Sequence, residues 1–215
     1  MGAAALISFN RGCIGYNTNM SCLPQRFYER EVTLVARELL GMRLVRRIGN
    51  QRITGIIVET EAYRGEEDLA CHAHHGRTAR TEVMYGEAGR AYIYFTYGMH
   101  WLLNVVTGQV EFPAAVLLRA IVPVEGKAII AGNRAGRPEG QWCNGPGKIC
   151  QALQLNGELN GVDLTGERAG LWIEKGKPVS DAAVVSSKRI GIDSVPEPWK
   201  SIPWRFNAIL SENDL

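Results

Sequence analysis

Two carboxylates and a tyrosine alternate in Ile56-Ile57-Val58-Glu59-Thr60-Glu61-Ala62-Tyr63. Successive side chains of an extended chain point to opposite faces, so Glu59, Glu61 and Tyr63 share one face of a strand. A carboxylate placed there can deprotonate a water and stabilise developing positive charge, provided that bulk water is kept out. On an arbitrary strand the same alternation reads as a solvent-facing edge. Here Cys71-His72-Ala73-His74-His75 follows closely and a tyrosine-rich segment comes next, so a polar and aromatic surround is expected for the carboxylates.

That tyrosine-rich segment is the second constellation. Tyr92 and Tyr94 fall on one strand face, and Tyr97-Gly98 suits a hairpin tip. Aromatics on strands usually serve as cross-strand pairs. A large aromatic at an exposed tip is poorly explained by packing, but it can enter a base stack as a wedge. Arg119 in Leu117-Leu118-Arg119-Ala120 interrupts an apolar run, and burying it is costly unless a carboxylate, phosphate or water pairs with it. Asn104 in Leu102-Leu103-Asn104-Val105-Val106 needs hydrogen-bond partners for the same reason. Cys143-Asn144-Gly145-Pro146-Gly147-Lys148 reads as a helix start with a lysine, a phosphate-binding arrangement. It is not a nucleotide P-loop, because Trp142 and Ile149 replace the required Gly and Ser/Thr. Cleaving a bond between sugar and base builds positive charge on the sugar, as in glycoside hydrolysis, and a strand-end carboxylate beside aromatics suits that reaction.

The elements that must position these residues follow from pattern and punctuation. Residues 33–40 predict a helix that Gly41 terminates. A strand beginning at Leu44-Val45 turns at Gly49-Asn50 into a partner over 53–62. Residues 66–75 predict a short helix or loop. Residues 92–96 and 101–107 predict two strands, and the apolar run 114–122 predicts a central strand buried on both faces. Gly145-Pro146 begins a helix to about Leu155. Leu171-Trp172-Ile173 and Ala183-Val184-Val185 are short strand candidates. The sum is one mixed α+β domain without internal repeats.

Composition bounds the function classes. With 215 residues, 46% hydrophobic and 21% charged, the chain suits one well-buried core. No apolar run reaches the roughly 18–20 residues of a transmembrane helix, and the opening lacks the pattern of a secretory signal, so a cytosolic or nucleoid location is expected. Five scattered cysteines (13, 22, 71, 143 and 150) without a Cys-x-x-Cys pair fit a reducing compartment and no structural zinc. Residues 1–150 carry 17 Lys/Arg against 13 Asp/Glu, whereas 151–215 carry 7 against 9. Arg43, Arg46, Arg47 and Arg52 crowd one stretch, and Arg134, Arg137 and Lys148 mark another. Such an asymmetry fits either a solvated surface or a basic face for phosphates.

Taken in order, Glu-Thr-Glu-Ala-Tyr, a His nine residues later, Tyr-x-x-Tyr-Gly-Met followed by Asn, Leu-Leu-Arg-Ala, Gly-Pro-x-Lys-x-Cys-Gln-Ala-Leu and Pro-Trp-Arg-Phe make a specific set. Each alone is weak; six in order are strong. The chain resembles the alkyladenine (3-methyladenine) DNA glycosylase family over residues 26–206. Residues 1–25 are left as a loose extension, with Met20 offering a second start, and 207–215 as a tail without the family's aromatic continuation. The resemblance implies a curved, largely antiparallel sheet flanked by helices, like the C-terminal domain of methionyl-tRNA formyltransferase. It implies a monofunctional enzyme, acting as a monomer on double-stranded DNA. The enzyme would flip alkylated or deaminated purines of the 3-methyladenine and hypoxanthine type and hydrolyse the N-glycosidic bond, with no cofactor and no metal. By the same resemblance Glu61 activates the water and Arg119 holds that water or the carboxylate. Tyr63, His72 and Tyr94 enclose the flipped base, and Tyr97 intercalates. Asn104 screens the purine's minor-groove edge, Ile190 and Gly191 lie near the reaction centre, and Lys148 contacts a phosphate. It assigns nothing to Glu59, His74, His75 or His100.

Two rival readings stand beside it. A metal hydrolase would use Glu61, His72 and His74, but neither His-Glu-x-x-His nor a cysteine ligand pair supports it. A catalytically inactive nucleic-acid-binding domain of the same fold would not need Glu61 and Arg119 to converge on one pocket.

Overall fold

The Gly49-Asn50 turn closes a hairpin between β1 (Arg43–Ile48) and β2 (Gln51–Arg64). The second strand is longer at both ends than its apolar stretch suggests. Polar Gln51 and Arg52 pair with Ile48 and Arg47, and Tyr63 and Arg64 pair with Ala115 and Ala114. The computed structural model describes residues 22–210, so Cys13 and Met20 lie outside the described residues.

Around β2 the chain builds an antiparallel sheet from β3 (Ala91–Thr96), β4 (His100–Thr107), β5 (Ala114–Glu125), β6 (Leu171–Glu174), β7 (Val184–Ser187) and β8 (Arg205–Ala208). Its order is β3-β4-β5-β2-β1-β6, and β8 bridges β2 to β7. Thus β2 is paired along one edge by β5 and along the other by β1 and then β8. The sheet is open, and the α+β class expected from the sequence holds.

One face carries the main core, where Ile57, Leu103, Val105, Val116 and Leu118 meet α2 (Val32–Glu38) and α4 (Pro146–Ala152). Thr60, the residue between the two carboxylates, points to this side and donates its hydroxyl to Ala36 O at 2.7 Å. That bond docks α2 on β2 and sends Glu61 to the opposite face. There a smaller cluster of Cys71, Ala73, Met84, Tyr92, Val106 and Ala115 lies under two short 3-10 turns, His72–His75 and Glu82–Tyr85.

Several elements differ from the sequence expectation. The helix begun by Pro146 stops at Ala152 rather than near Leu155. Gln154 turns left-handed (φ 53), the Leu155 N–H returns to Cys150 O at 2.8 Å, and Asn133 Nδ2 caps Ala152 O. A helix α3 (Lys127–Asn133) follows β5, where glycines at 126, 132 and 136 mask the apolar spacing. The expected boundary at residue 206 falls inside β8, and Asn207 pairs with both Glu59 and Val185. At the other end Cys22 bridges to Glu174, Leu23 is buried, and α1 (Gln25–Tyr28) starts within the segment read as a loose extension.

Candidate active site

The register of β2 against β5 slips beside the carboxylates. Ile57 faces Ile121, Glu59 faces Ala120 and Thr60 faces Leu118, leaving Val58 and Arg119 as unpaired extra residues. Bulges of this kind bend a strand and re-aim a side chain. Here the irregularity places Arg119 among the acids. Its Nε donates to Glu59 Oε1 at 2.9 Å and lies 3.4 Å from Glu61 Oε1, while its Nη1 is 3.4 Å from Glu61 Oε2. The partner that an arginine in an apolar strand demands is therefore a pair of carboxylates. Glu59, which the resemblance leaves unassigned, also accepts from Arg205 Nη1 on β8 at 3.3 Å.

Glu61 itself has no solvent exposure. Oε1 accepts the Ile190 N–H at 2.7 Å and Oε2 accepts the Tyr63 hydroxyl at 2.8 Å. Burial raises its pKa above the ordinary glutamate value; Arg119, the Ile190 N–H and Tyr63 oppose the rise, and Glu59 adds to it. Tyr63 is pushed well above the usual phenol range, first by burial and then by Glu61, so it keeps its proton and remains a donor.

Tyr63, Arg119 and Ile190 all line a cavity of about 290 Å³, which leaves Glu61 one side chain beneath its floor. The walls are aromatic. His72 meets Tyr94 edge-on with ring centroids 4.4 Å apart, and Tyr92 lies 5.4 Å from Tyr94. His72 Nδ1 and Tyr92 Oη are hydrogen-bonded at 2.9 Å. Burial, helped by nearby Arg80, lowers the His72 pKa to about 4, so the imidazole is neutral at neutral pH. Asn104 is buried in β4 and donates its amide to Tyr92 O at 3.1 Å. Gly191 completes the wall next to Ile190, in a left-handed conformation (φ 82).

At the cavity mouth the three-residue β3–β4 loop turns through Tyr97 (φ 50) and Gly98 (φ 66), the two left-handed central residues of a turn that the Met99 N–H closes on Thr96 O at 3.1 Å. Tyr97 is 81% exposed, and Met99 beside it is also exposed. Lys148 does not line the cavity. It lies on α4, whose first residue Pro146 does, and donates to Asn144 Oδ1 at 2.6 Å. His74 bonds Glu66 O on an exposed turn, and among the described residues no group of three or more His, Cys, Asp or Glu could hold a metal ion.

One feature near the cavity had no signal in the sequence: Arg189 and Asp68, both wholly buried, form a two-pronged ion pair at 2.5 and 2.9 Å. They are 121 positions apart, and neither belongs to a spaced motif.

The profile of the methylpurine-DNA glycosylase family matches residues 26–211. A protein of Carboxydothermus hydrogenoformans is 48% identical over 184 residues, covering 86% of this chain and 93% of its own. Relatives from Desulfitobacterium hafniense (45% identical, 87% and 95% covered) and Methanocella arvoryzae (46%, 87% and 92%) are similar. All three carry the provisional name 3-methyladenine DNA glycosylase. Agreement of this extent defines the class, a DNA glycosylase, an enzyme of DNA repair. Within that class the chain belongs to the methylpurine-DNA glycosylase family.

Proposed function

We propose that this enzyme turns alkylated or deaminated purines, of the 3-methyladenine and hypoxanthine type, out of duplex DNA and hydrolyses their N-glycosidic bonds with a water activated by Glu61. The observation that carries the reading is the Glu61 carboxylate, sealed from solvent and held by three groups that line one aromatic cavity. A raised pKa makes Glu61 a stronger base once ionised, and its negative charge opposes the positive charge growing on the sugar. Of its contacts, those to Arg119 are the longest, at 3.4 Å, and are the ones a water can replace at least cost while Glu59 retains the guanidinium.

Tyr63, His72 and Tyr94 offer ring faces and edges to a flipped base, and Asn104, which lines the same cavity, is the residue proposed to read its edge. Tyr97 fills the gap left in the stack, which offsets part of the few kcal/mol that extrusion costs. A neutral His72 is a hydrogen-bond partner rather than a proton donor, so cationic alkylpurines, which leave as neutral bases, need no acid from it. Among the described residues no lysine lines the cavity, and the proposed reaction is hydrolysis without strand cutting. The domain is taken to include Leu23 at one end and β8 through Ala208 at the other, acting as a monomer.

The test is direct. Labelled duplexes with one hypoxanthine or one alkylated adenine are incubated with the full chain, and released base and abasic strand are measured. Release by the native protein and near-complete loss in Glu61→Gln are expected. Lesion binding without release by the native protein would instead favour the inactive-binder alternative.

A further inference from the structure

The Arg189–Asp68 pair is completely buried, and such pairs contribute weakly to stability compared with apolar side chains of the same size. Its connections run to β2, to the segment before β8 and to two walls of the cavity. Besides Asp68, Arg189 Nη1 donates to Ala62 O at 2.9 Å, between Glu61 and Tyr63, and Nη2 donates to Trp199 O at 3.2 Å. Its guanidinium lies 4.7 Å from the centre of the Tyr63 ring. Asp68 accepts the backbone N–H of Arg64 at 3.1 Å and of Ala70 at 3.0 Å, and Ala70 lines the cavity just before His72. The residue after Arg189 is Ile190, whose N–H reaches Glu61.

We infer that Arg189 and Asp68 are positioning residues, a buried clamp that fixes the Ile190 wall and the His72 wall to β2 and sets the Ile190 N–H on the Glu61 carboxylate. The inference rests on Glu61 being the base. Side chains on a wall made of loop hold such a geometry only if something rigid anchors it, and a planar two-pronged pair supplies fixed angles as well as distances. Facing Glu61 are Arg119 from β5, Tyr63 and Glu59 from its own strand, and the Ile190 N–H. Tyr94 on β3 is near enough to feel its charge, and Arg205 on β8 reaches it through Glu59. If the clamp is lost, the Ile190 N–H no longer holds the ionised carboxylate, and burial is less opposed. Glu61 then titrates higher.

Single-turnover excision from a hypoxanthine duplex is measured from acid to neutral pH for the native chain, Arg189→Lys, the paired Asp68→Leu/Arg189→Met variant and Glu61→Gln. Arg189→Lys keeps the charge but cannot bond all three acceptors in one plane. The paired variant removes both charges together and so avoids stranding one of them. In whichever variants melt cooperatively, the acid limb is expected to move to higher pH and the plateau rate to fall by roughly 10²-fold, as for a small misplacement of a catalytic group, with DNA affinity little changed. A merely structural pair would lower the melting temperature and leave the acid limb in place, and that result would overturn the clamp. Retained turnover in Glu61→Gln would remove the base assignment and the clamp together; an inactive Glu61→Gln beside an unshifted paired variant would remove the clamp alone.

Discussion

At the scale of single residues, the base role proposed for Glu61 meets a stability cost. Its ionised form is disfavoured by burial, so the cost is absent below the ordinary glutamate pKa, grows as pH rises and is complete above the folded value. With Glu61 as the proposed base, activity requires that ionised form, and excision should fall on the acid side with an apparent pKa above the ordinary glutamate value. A pH–rate profile checks this. Glu61→Gln keeps shape and removes the base: excision should drop by about 10²–10⁴-fold while DNA binding survives. Its melting temperature at neutral pH should be no lower than the native one, because Arg119 keeps Glu59. Near-normal turnover would end the assignment. Asn104 is proposed to bear on which bases are spared. Guanine differs from hypoxanthine by its N2 amino group, and an amide tied to Tyr92 O within a packed strand cannot move away from it. Asn104→Ser should therefore raise guanine release more than hypoxanthine release. An unchanged ratio in matched flanking sequence would mean that guanine is excluded elsewhere.

At the scale of elements, the β3–β4 hairpin holds an aromatic in a conformation that most side chains avoid. A non-glycine residue in the left-handed region costs on the order of 1 kcal/mol, and nothing in the packing of an 81% exposed tyrosine repays it. Tyr97→Gly should accordingly leave the fold as stable or up to about 1 kcal/mol more stable, while weakening lesion binding. The binding deficit should shrink when the target base is mispaired, since less extrusion energy is then needed. Equal losses on paired and mispaired targets, measured by titration, would argue against a wedge. The β5 bulge is the other decisive element: without the slip between Ile57 and Thr60, Arg119 would not meet both carboxylates.

For the whole molecule the relevant quantity is charge. A net +2, with the surplus in residues 1–150, fits an enzyme that touches only a few phosphates. Affinity should fall as salt rises with a correspondingly shallow slope, about 0.9 per phosphate contacted. Lys148→Ala should reduce that slope by about one contact and weaken damaged and undamaged duplex alike. A loss confined to damaged DNA would place the lysine's role in the cavity instead.

Local chemistry was legible in the chain. Alternation placed Glu61 and Tyr63 on one face, Gly49-Asn50 and Tyr97-Gly98 marked hairpins, and an arginine in an apolar strand demanded an acidic partner. Such features depend on neighbours a few residues apart, where backbone geometry and side-chain type suffice. The chain did not show that β8 closes the far edge of β2, because Arg205-Phe206-Asn207-Ala208 lacks the β-branched residues that marked β6 and β7. Nor did it show that Glu61 lies beneath the cavity floor rather than in its wall, or that Glu59 joins Arg119 to Arg205. The Arg189–Asp68 pair was equally silent. Burial and long-range pairing arise only when distant segments meet and exclude water, and no local pattern records which buried charge will answer another 121 residues away.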